Sequence, residues 1–338
     1  MGNSVLYLCT CTLAAVLTGL VLPLLKRFAA PYLLDTPNAL KKHATPVPAI
    51  GGCAVFFSTV VTLLFVRLVT NFPTGTLHNL RGILMGGTLI FCLGLLDDLR
   101  KPQGVPMPLK LCVQALAAAS LVYYGVTIQI FTSAWIVFPF TFLWLLTLTN
   151  AFNLLDIQDG LCVSQAVICT TGLAFIALPS EFVYVNFAAL ALLGACLSFW
   201  PHNHAKNKIF LGDSGSTFLG FMIAALSMGT GYSHHVSSGF LAPVFILALP
   251  LFDTFFVSVA RLLKGKNPLK GSDDHIALRL QRAGWSRRRI LVTFCAVGIG
   301  CNLLGWIITK SSLCVTLCLL VVAGLFFGCA MRRLLQCK

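Results

Sequence analysis

Eleven stretches of the chain are apolar over close to the ~20 residues that a bilayer-spanning helix needs. They fall at about 4–25, 49–70, 82–97, 107–125, 133–149, 160–178, 182–199, 214–232, 239–261, 289–309 and 312–331. The run at 133–149 is the weakest, being short and holding Pro139, and the stretch 125–139 before it reads as an extended external segment. The pattern predicts an all-α, polytopic integral membrane protein of about 11 transmembrane helices.

Composition agrees with the pattern. The 338 residues are 57% hydrophobic and 10% charged, with mean hydropathy +0.88, against about 25% charged in soluble domains. The first run has no basic segment before it and no small-residue cleavage signal after it, so it reads as a retained helix. Leu6 stands where a myristoylation signal needs Ser or Thr. Thirteen of the fourteen cysteines lie in or beside apolar runs without C-x-x-C pairs, as packing residues would. No soluble domain, long linker or repeat interrupts the chain, which is expected to form one domain over 1–338.

Charge adds an orientation. Lys26 and Arg27 follow the first run, which predicts an amino terminus outside and the next loop in the cytoplasm. Threading eleven spans from there places 21 of the 24 basic residues on the cytoplasmic side, leaving only Arg67, Arg81 and Lys310 outside. The net charge of +14 therefore belongs to one face, where it suits anionic headgroups and phosphorylated substrates alike. The carboxyl terminus is expected inside.

All nine aspartates map to that same side, at helix ends, and Glu181 is the only acid outside. An ionisable group near hydrocarbon is costly and is by default a functional candidate. Asp35, before Thr36-Pro37, suits a turn or cap. Asp253 calls for an interhelical partner, such as Arg261 or Lys264, as readily as for a catalytic role. Asp97 and Asp98 put two adjacent anions at a helix carboxyl end, against the helix dipole. Arg100 and Lys101 could compensate them, but Mg²⁺, which binds through one or two carboxylates plus substrate phosphates, fits the other signals better. Side chains of neighbours on a helix point about 100° apart, so the pair should divide its work. Asp213, between two glycines at the start of a span, is either an ordinary N-cap residue or part of a phosphate-binding helix start.

In "NAFNLLDIQDG", Asn150, Asn153, Asp156 and Asp159 recur at a spacing of three. That spacing drifts about 60° per step on an α-helix, so the four cannot share one straight face. Either the segment tightens toward a 3₁₀ helix, or the helix ends near Asp156 and Asp159-Gly160 folds back across its tip. Ile157 is expected to keep an ordinary helical conformation.

Five ordered motifs carry a resemblance that runs over nearly the whole chain: "LLDTPNALKKHATPVPAIGG" at 33–52, "LGLLDDLRKP" at 93–102, "NAFNLLDIQDGL" at 150–161, "KIFLGDSGSTFLG" at 208–220 and "RLLKGKNPLKGSDDHIALRLQRAGWS" at 261–286. With these the chain resembles the polyprenyl-phosphate N-acetylhexosamine-1-phosphate transferases, particularly the WecA/TagO-like branch of the MraY-like glycosyltransferase-4 superfamily. The resemblance implies a Mg²⁺-dependent enzyme, with Mn²⁺ as a substitute ion, in a bacterial inner membrane. It would pass a sugar 1-phosphate from a UDP-sugar to undecaprenyl phosphate within the lipid bilayer. By position it implies Asp97 as base with Asp98 beside it, Asp213 with Asp97 at the metal, and Asp156, Asp159 and Asn153 along the nucleotide-sugar pocket. It further implies Asn203 and Phe210 near uracil and Lys41 or Lys42 near the phosphates. His275 is a candidate phosphate contact. No nucleic acid is implied, and a homodimer is left open.

The chain departs from the family pattern twice. Ile157 stands where glycine is usual in "DGxDGL", and the loop "DHIALRL" keeps His275 but has Ala277 and Leu278 where histidines are usual. Within the family, lipid I synthesis from the muramoyl-pentapeptide nucleotide is the alternative, and the "NAFN" and "DHIALRL" forms speak against it. Outside it, a transporter or flippase would place its ionisable groups near the midplane, whereas these cluster at one surface.

Overall fold

The structure, a computed structural model, describes residues 3–35, 46–70, 74–128, 130, 133–178, 183–205, 208–230, 237–267 and 274–336. Lys41 and Lys42 lie outside the described residues. The chain divides into two compact units, Met1–Gly231 and Tyr232–Lys338.

The first unit holds helices α1 (Asn3–Phe28), α2 (Gly51–Val69), α3 (Thr74–Leu99), α4 (Met107–Tyr123), α5 (Ala134–Leu155), α6 (Leu161–Ala177), α7 (Val183–His204) and α8 (Gly212–Gly229). The second holds α9 (Ala242–Ile246), α10 (Ala248–Leu262), α11 (Ile276–Arg282), α12 (Arg287–Ile308) and α13 (Leu313–Gln336). These thirteen are the α-helices among the described residues. They are joined by a 3₁₀ turn at Ser237–Leu241 and by a two-residue antiparallel ladder of β1 (Leu34–Asp35) and β2 (Val47–Pro48).

Every apolar run coincides with helix, and the protein is a polytopic membrane protein. Seven helices are long and apolar enough to cross a membrane, or eight if one bent pair counts as a span. Fewer helices than runs reach that standard. Helices α4 and α6 have 17 residues each, since Pro106 and the left-handed Gly160 fix where they start. Helix α8 carries Asp213, Ser214, Ser216, Thr217 and Ser227 among its apolar residues. The run at 239–261 is not one straight helix: the segments Gly239–Ile246 and Ala248–Leu262 meet at 63°. Pro250 has no N–H to give the Ile246 carbonyl four residues back, which breaks the ladder there. The stretch expected to be extended up to 139 is helical from Ala134. Pro139 lies early enough in α5 that only the Trp135 carbonyl loses its donor.

In the first unit α8 packs against α2, α3, α5, α6 and α7, and every residue of it but Asp213 is buried. The α1–α2 and α7–α8 connections meet at one end. The Phe210 N–H donates to the Pro48 carbonyl at 2.8 Å, the Gly51 N–H to the Phe210 carbonyl at 3.0 Å and the Gly52 N–H to the Leu211 carbonyl at 2.7 Å. Helix α3 reaches the start of α8 closely because Gly94 has no side chain; a Cβ there would lie 2.5 Å from the Asp213 carbonyl oxygen.

In the second unit, α13 exposes Leu313, Leu317, Val321, Val322, Leu325 and Phe326, the outward apolar surface expected against lipid. Asp253 on α10 and the segment before α11 form its polar interior.

Candidate active site

The end of α3 settles how the adjacent carboxylates divide. Both residues are 6% exposed. Asp97 turns to the α3–α4 connection, where Oδ1 accepts the Val105 N–H at 2.5 Å and Oδ2 pairs with the Lys110 ammonium. Asp98 turns to α8, where Oδ1 accepts the Asp213 N–H and Oδ2 the Ser214 N–H, each at 2.9 Å. The first turn of α8 thus receives its anion from another helix. Neither Asp213 nor Ser214 acts as its own cap, and the phosphate-binding reading of these two amides gives way to a carboxylate that already occupies them.

Lys101, just past α3, joins the acids. Its ammonium donates to Asp98 Oδ1 at 2.6 Å and lies 3.2 Å from Asp213 Oδ2. Burial lowers the pKa of this ammonium, but the Asp213 and Asp98 carboxylates outweigh it and hold the group well above the usual lysine range, so it stays protonated. Asp213 keeps 26% of its side chain exposed, against 1% for Asp98.

The "NAFNLLDIQDG" stretch ends α5 at Leu155. Asp156 caps it, and a turn through Ile157, Gln158 and Asp159 leads to Gly160 at φ +79°. This is the fold-back alternative. Ile157 lies in the turn and not in the helix, with negative φ like every other non-glycine residue described. The carboxamides face other helices: Asn150 Nδ2 donates to Gln114 Oε1 of α4 at 3.3 Å, and Asn153 Oδ1 accepts from Ser216 Oγ of α8 at 2.8 Å. Asp159 Oδ2 pairs with Lys208 at 2.7 Å, and that ammonium stands 5.0 Å over the Phe210 ring.

Asn203 is 2% exposed and is spent on the backbone. Its Oδ1 accepts the Gly160 N–H at 2.6 Å and its Nδ2 donates to the Ile209 carbonyl at 2.8 Å. It ties the Asp159 turn to the Phe210 loop. A Cβ on Gly160 would collide with the His204 ring, so position 160 needs glycine for both its φ and its neighbour.

His275 lies in the second unit, 2% exposed, with Nδ1 2.9 Å from Asp253 Oδ2, while the Ile276 N–H donates to Asp253 Oδ1 at 3.0 Å. The partner of Asp253 is therefore His275 rather than Arg261 or Lys264. Beside it Asp274 pairs with Lys264 and, at 2.8 Å, with Arg279. Burial raises the Asp274 pKa, but these two cations outweigh it and bring it to about 2.

The first unit thus gathers Asp97, Asp98 and Asp213 with Lys101 and Lys110, and separately links Asp159, Lys208 and Phe210 through Asn203. Lys110, Lys208, Gln114 and Ser216 were not singled out from sequence. Lys110 had a signal: a cation in the first turn of a helix opposes the dipole and needs an anion nearby.

Among the described residues no three or more His, Cys, Asp or Glu side chains form a metal cage. Mg²⁺ does not need one, because it keeps waters and takes one or two carboxylates plus phosphates. The hard, partly exposed oxygens of Asp213, at the end where the acids gather, fit such an ion.

Acids and lysines gathered at one end of a bundle of apolar helices suit a membrane enzyme that handles phosphate groups. Residues 80–231 match the family described as "Glycosyl transferase family 4". The chain is 30% identical over 315 residues, 83% of its length and 76% of the relative's, to the decaprenyl-phosphate N-acetylglucosaminephosphotransferase of Mycolicibacterium smegmatis. It is 29% identical over 326 residues, 93% of its length and 88% of the relative's, to a probable undecaprenyl-phosphate N-acetylglucosaminyl 1-phosphate transferase of Bacillus subtilis. It is 26% identical over 282 residues, 78% of its length and 74% of the relative's, to the undecaprenyl-phosphate alpha-N-acetylglucosaminyl 1-phosphate transferase of Escherichia coli. The chain belongs to glycosyl transferase family 4.

Proposed function

We propose that this protein transfers N-acetylglucosamine 1-phosphate from its UDP-sugar to undecaprenyl phosphate, releasing UMP and starting a lipid-linked glycan of a bacterial cell envelope. The observation that carries this reading is the gathering of Asp97, Asp98 and Asp213 with Lys101 and Lys110 at one end of the first unit. The substrates named for the relatives fit that chemistry.

In the net reaction an oxygen of the lipid phosphate bonds to the sugar-bearing phosphorus. The bond from that phosphorus to the bridging oxygen breaks, and its electron pair leaves with UMP. Such transfers depend on positioning and charge neutralisation more than on covalent help. Mg²⁺, held by Asp213, would supply the main neutralisation of the diphosphate oxygens. Lys110 brings positive charge to the same region. Asp97, oriented by Lys110 and the Val105 amide, receives or directs the lipid phosphate. Asp159 and Phe210, spaced by Lys208, read the nucleotide-sugar, and Asn203 acts on it only through the loops it joins.

The basic asymmetry supports eleven crossings, an amino terminus outside, a carboxyl terminus inside and the site at the cytoplasmic face of the inner membrane. The test is purified protein with undecaprenyl phosphate, Mg²⁺ and a panel of labelled UDP-sugars. UDP-N-acetylglucosamine should give lipid-linked product and the muramoyl-pentapeptide nucleotide should not. The reverse preference would move the protein to lipid I synthesis.

A further inference from the structure

Lys101 sits between two carboxylates that differ in every respect bearing on its hold. Asp98 is 1% exposed at its side chain, accepts two backbone N–H groups and takes the Lys101 ammonium at 2.6 Å. Asp213 is 26% exposed and stands 3.2 Å from the same ammonium. The ammonium therefore belongs to Asp98 and is shared with Asp213 through the longer, more solvated contact. That contact is the one an arriving ligand can replace. Asp98 cannot turn away to follow, because its two backbone bonds fix it to the first turn of α8.

We infer that Lys101 is an internal competitor for the divalent cation at Asp213, a positioning residue that keeps the bare ion from binding tightly and gives way when the ion arrives with a diphosphate. The inference rests on the proposed function for the presence of that cation. The physical reason is charge: a dication beside a fixed ammonium is repelled, whereas a dication carrying a diphosphate brings the anions that the ammonium can then take. Lys101 would remain on Asp98 throughout, swinging only the end of a flexible four-carbon stem. The arrangement would favour binding of ion and nucleotide together over binding of the ion first.

The test uses the full chain in detergent and Mn²⁺ as the probe, followed by its electron paramagnetic resonance without any assay of transfer. Wild type should bind bare Mn²⁺ weakly and bind it more tightly with UDP present. Lys101→Gln should bind bare Mn²⁺ at least tenfold more tightly, and Lys101→Arg, which keeps the charge, should stay near wild type. A folded Lys101→Gln that binds bare Mn²⁺ no better than wild type would overturn the inference. If Lys101→Gln does not fold, the wild-type chain still decides. Bare Mn²⁺ should bind the wild-type chain at least tenfold more weakly than Mn²⁺ with UDP, and equal affinity would overturn the inference equally. The outcomes separate from those of the proposed function: a protein that makes lipid-linked product while failing both tests loses the role of Lys101 alone, whereas one that passes them yet makes no product from any UDP-sugar loses the transferase reading.

Discussion

Asp98 on α3 accepts the backbone N–H of Asp213 on α8 at 2.9 Å, so a carboxylate 115 residues away in the chain caps the helix on which another candidate carboxylate stands. Two acids that look alike in sequence thereby differ in task, one holding the site together and the other facing what enters it.

That difference can be measured. Asp98→Asn should lower both activity and stability, since an amide cannot accept both N–H groups and the loss of a cap bond of this kind costs about 1–3 kcal/mol. Asp213→Asn should abolish transfer with little change in thermal stability. Equal stability losses in the two variants would contradict the assignment, with detergent thermal unfolding as the readout.

Asp97→Asn should also abolish transfer while leaving extractable, folded protein, because it removes charge but little volume. Near-normal turnover at saturating Mg²⁺ would remove Asp97 from the mechanism.

Gly160→Ala should destabilise the Asp159 turn by more than about 1 kcal/mol, from the positive φ and from the clash with His204. Adding His204→Ala should recover part of the loss, as contacting residues are non-additive. Simple additivity of the two changes would show that the ring is not what the added methyl meets.

Within the same turn, Asp156→Ala and Asp159→Ala should each cost far more activity than Ile157→Gly. Because Ile157 already has negative φ outside the helix, its replacement should cost only about 0.4–1 kcal/mol of chain entropy. A gain in turnover of roughly tenfold or more, about 1.4 kcal/mol of barrier, would instead mean that Ile157 impairs the site.

Asp274 gives a pH dependence with a definite sign. Its folded pKa of about 2 lies below the ordinary 3.8, so its pairing stabilises the fold fully above about pH 4 and is lost as pH falls toward 2. Asp274→Asn should flatten the acid limb of stability in that window. An unchanged limb would show that Lys264 and Arg279 do not hold the Asp274 carboxylate in solution.

The helices were legible because an apolar run of sufficient length leaves the backbone little choice in a bilayer. Their ends and breaks were less so: Pro250 bends a run that hydropathy reads as continuous, while Pro139 fails to stop one. The two tasks of Asp97 and Asp98 followed from helix geometry, but their partners did not. Lys110, Asp213 and Ser214 reach them through tertiary approach, and no local pattern reports that Gly94 lets α3 touch α8. Asn203 and His275 illustrate the opposite gap. The resemblance implies Asn203 near uracil and leaves His275 a candidate phosphate contact, and neither signal reports that Asn203 also ties two loops together or that His275 lies against Asp253.

The most direct test of the central claim follows the β-phosphate of the nucleotide. Purified protein is given undecaprenyl phosphate, Mg²⁺ and UDP-N-acetylglucosamine labelled in its β-phosphate. The label should move into the lipid phase with release of one unlabelled UMP per product. Label left in water-soluble UDP, with sugar alone on the lipid, or no lipid product from this donor, would contradict it.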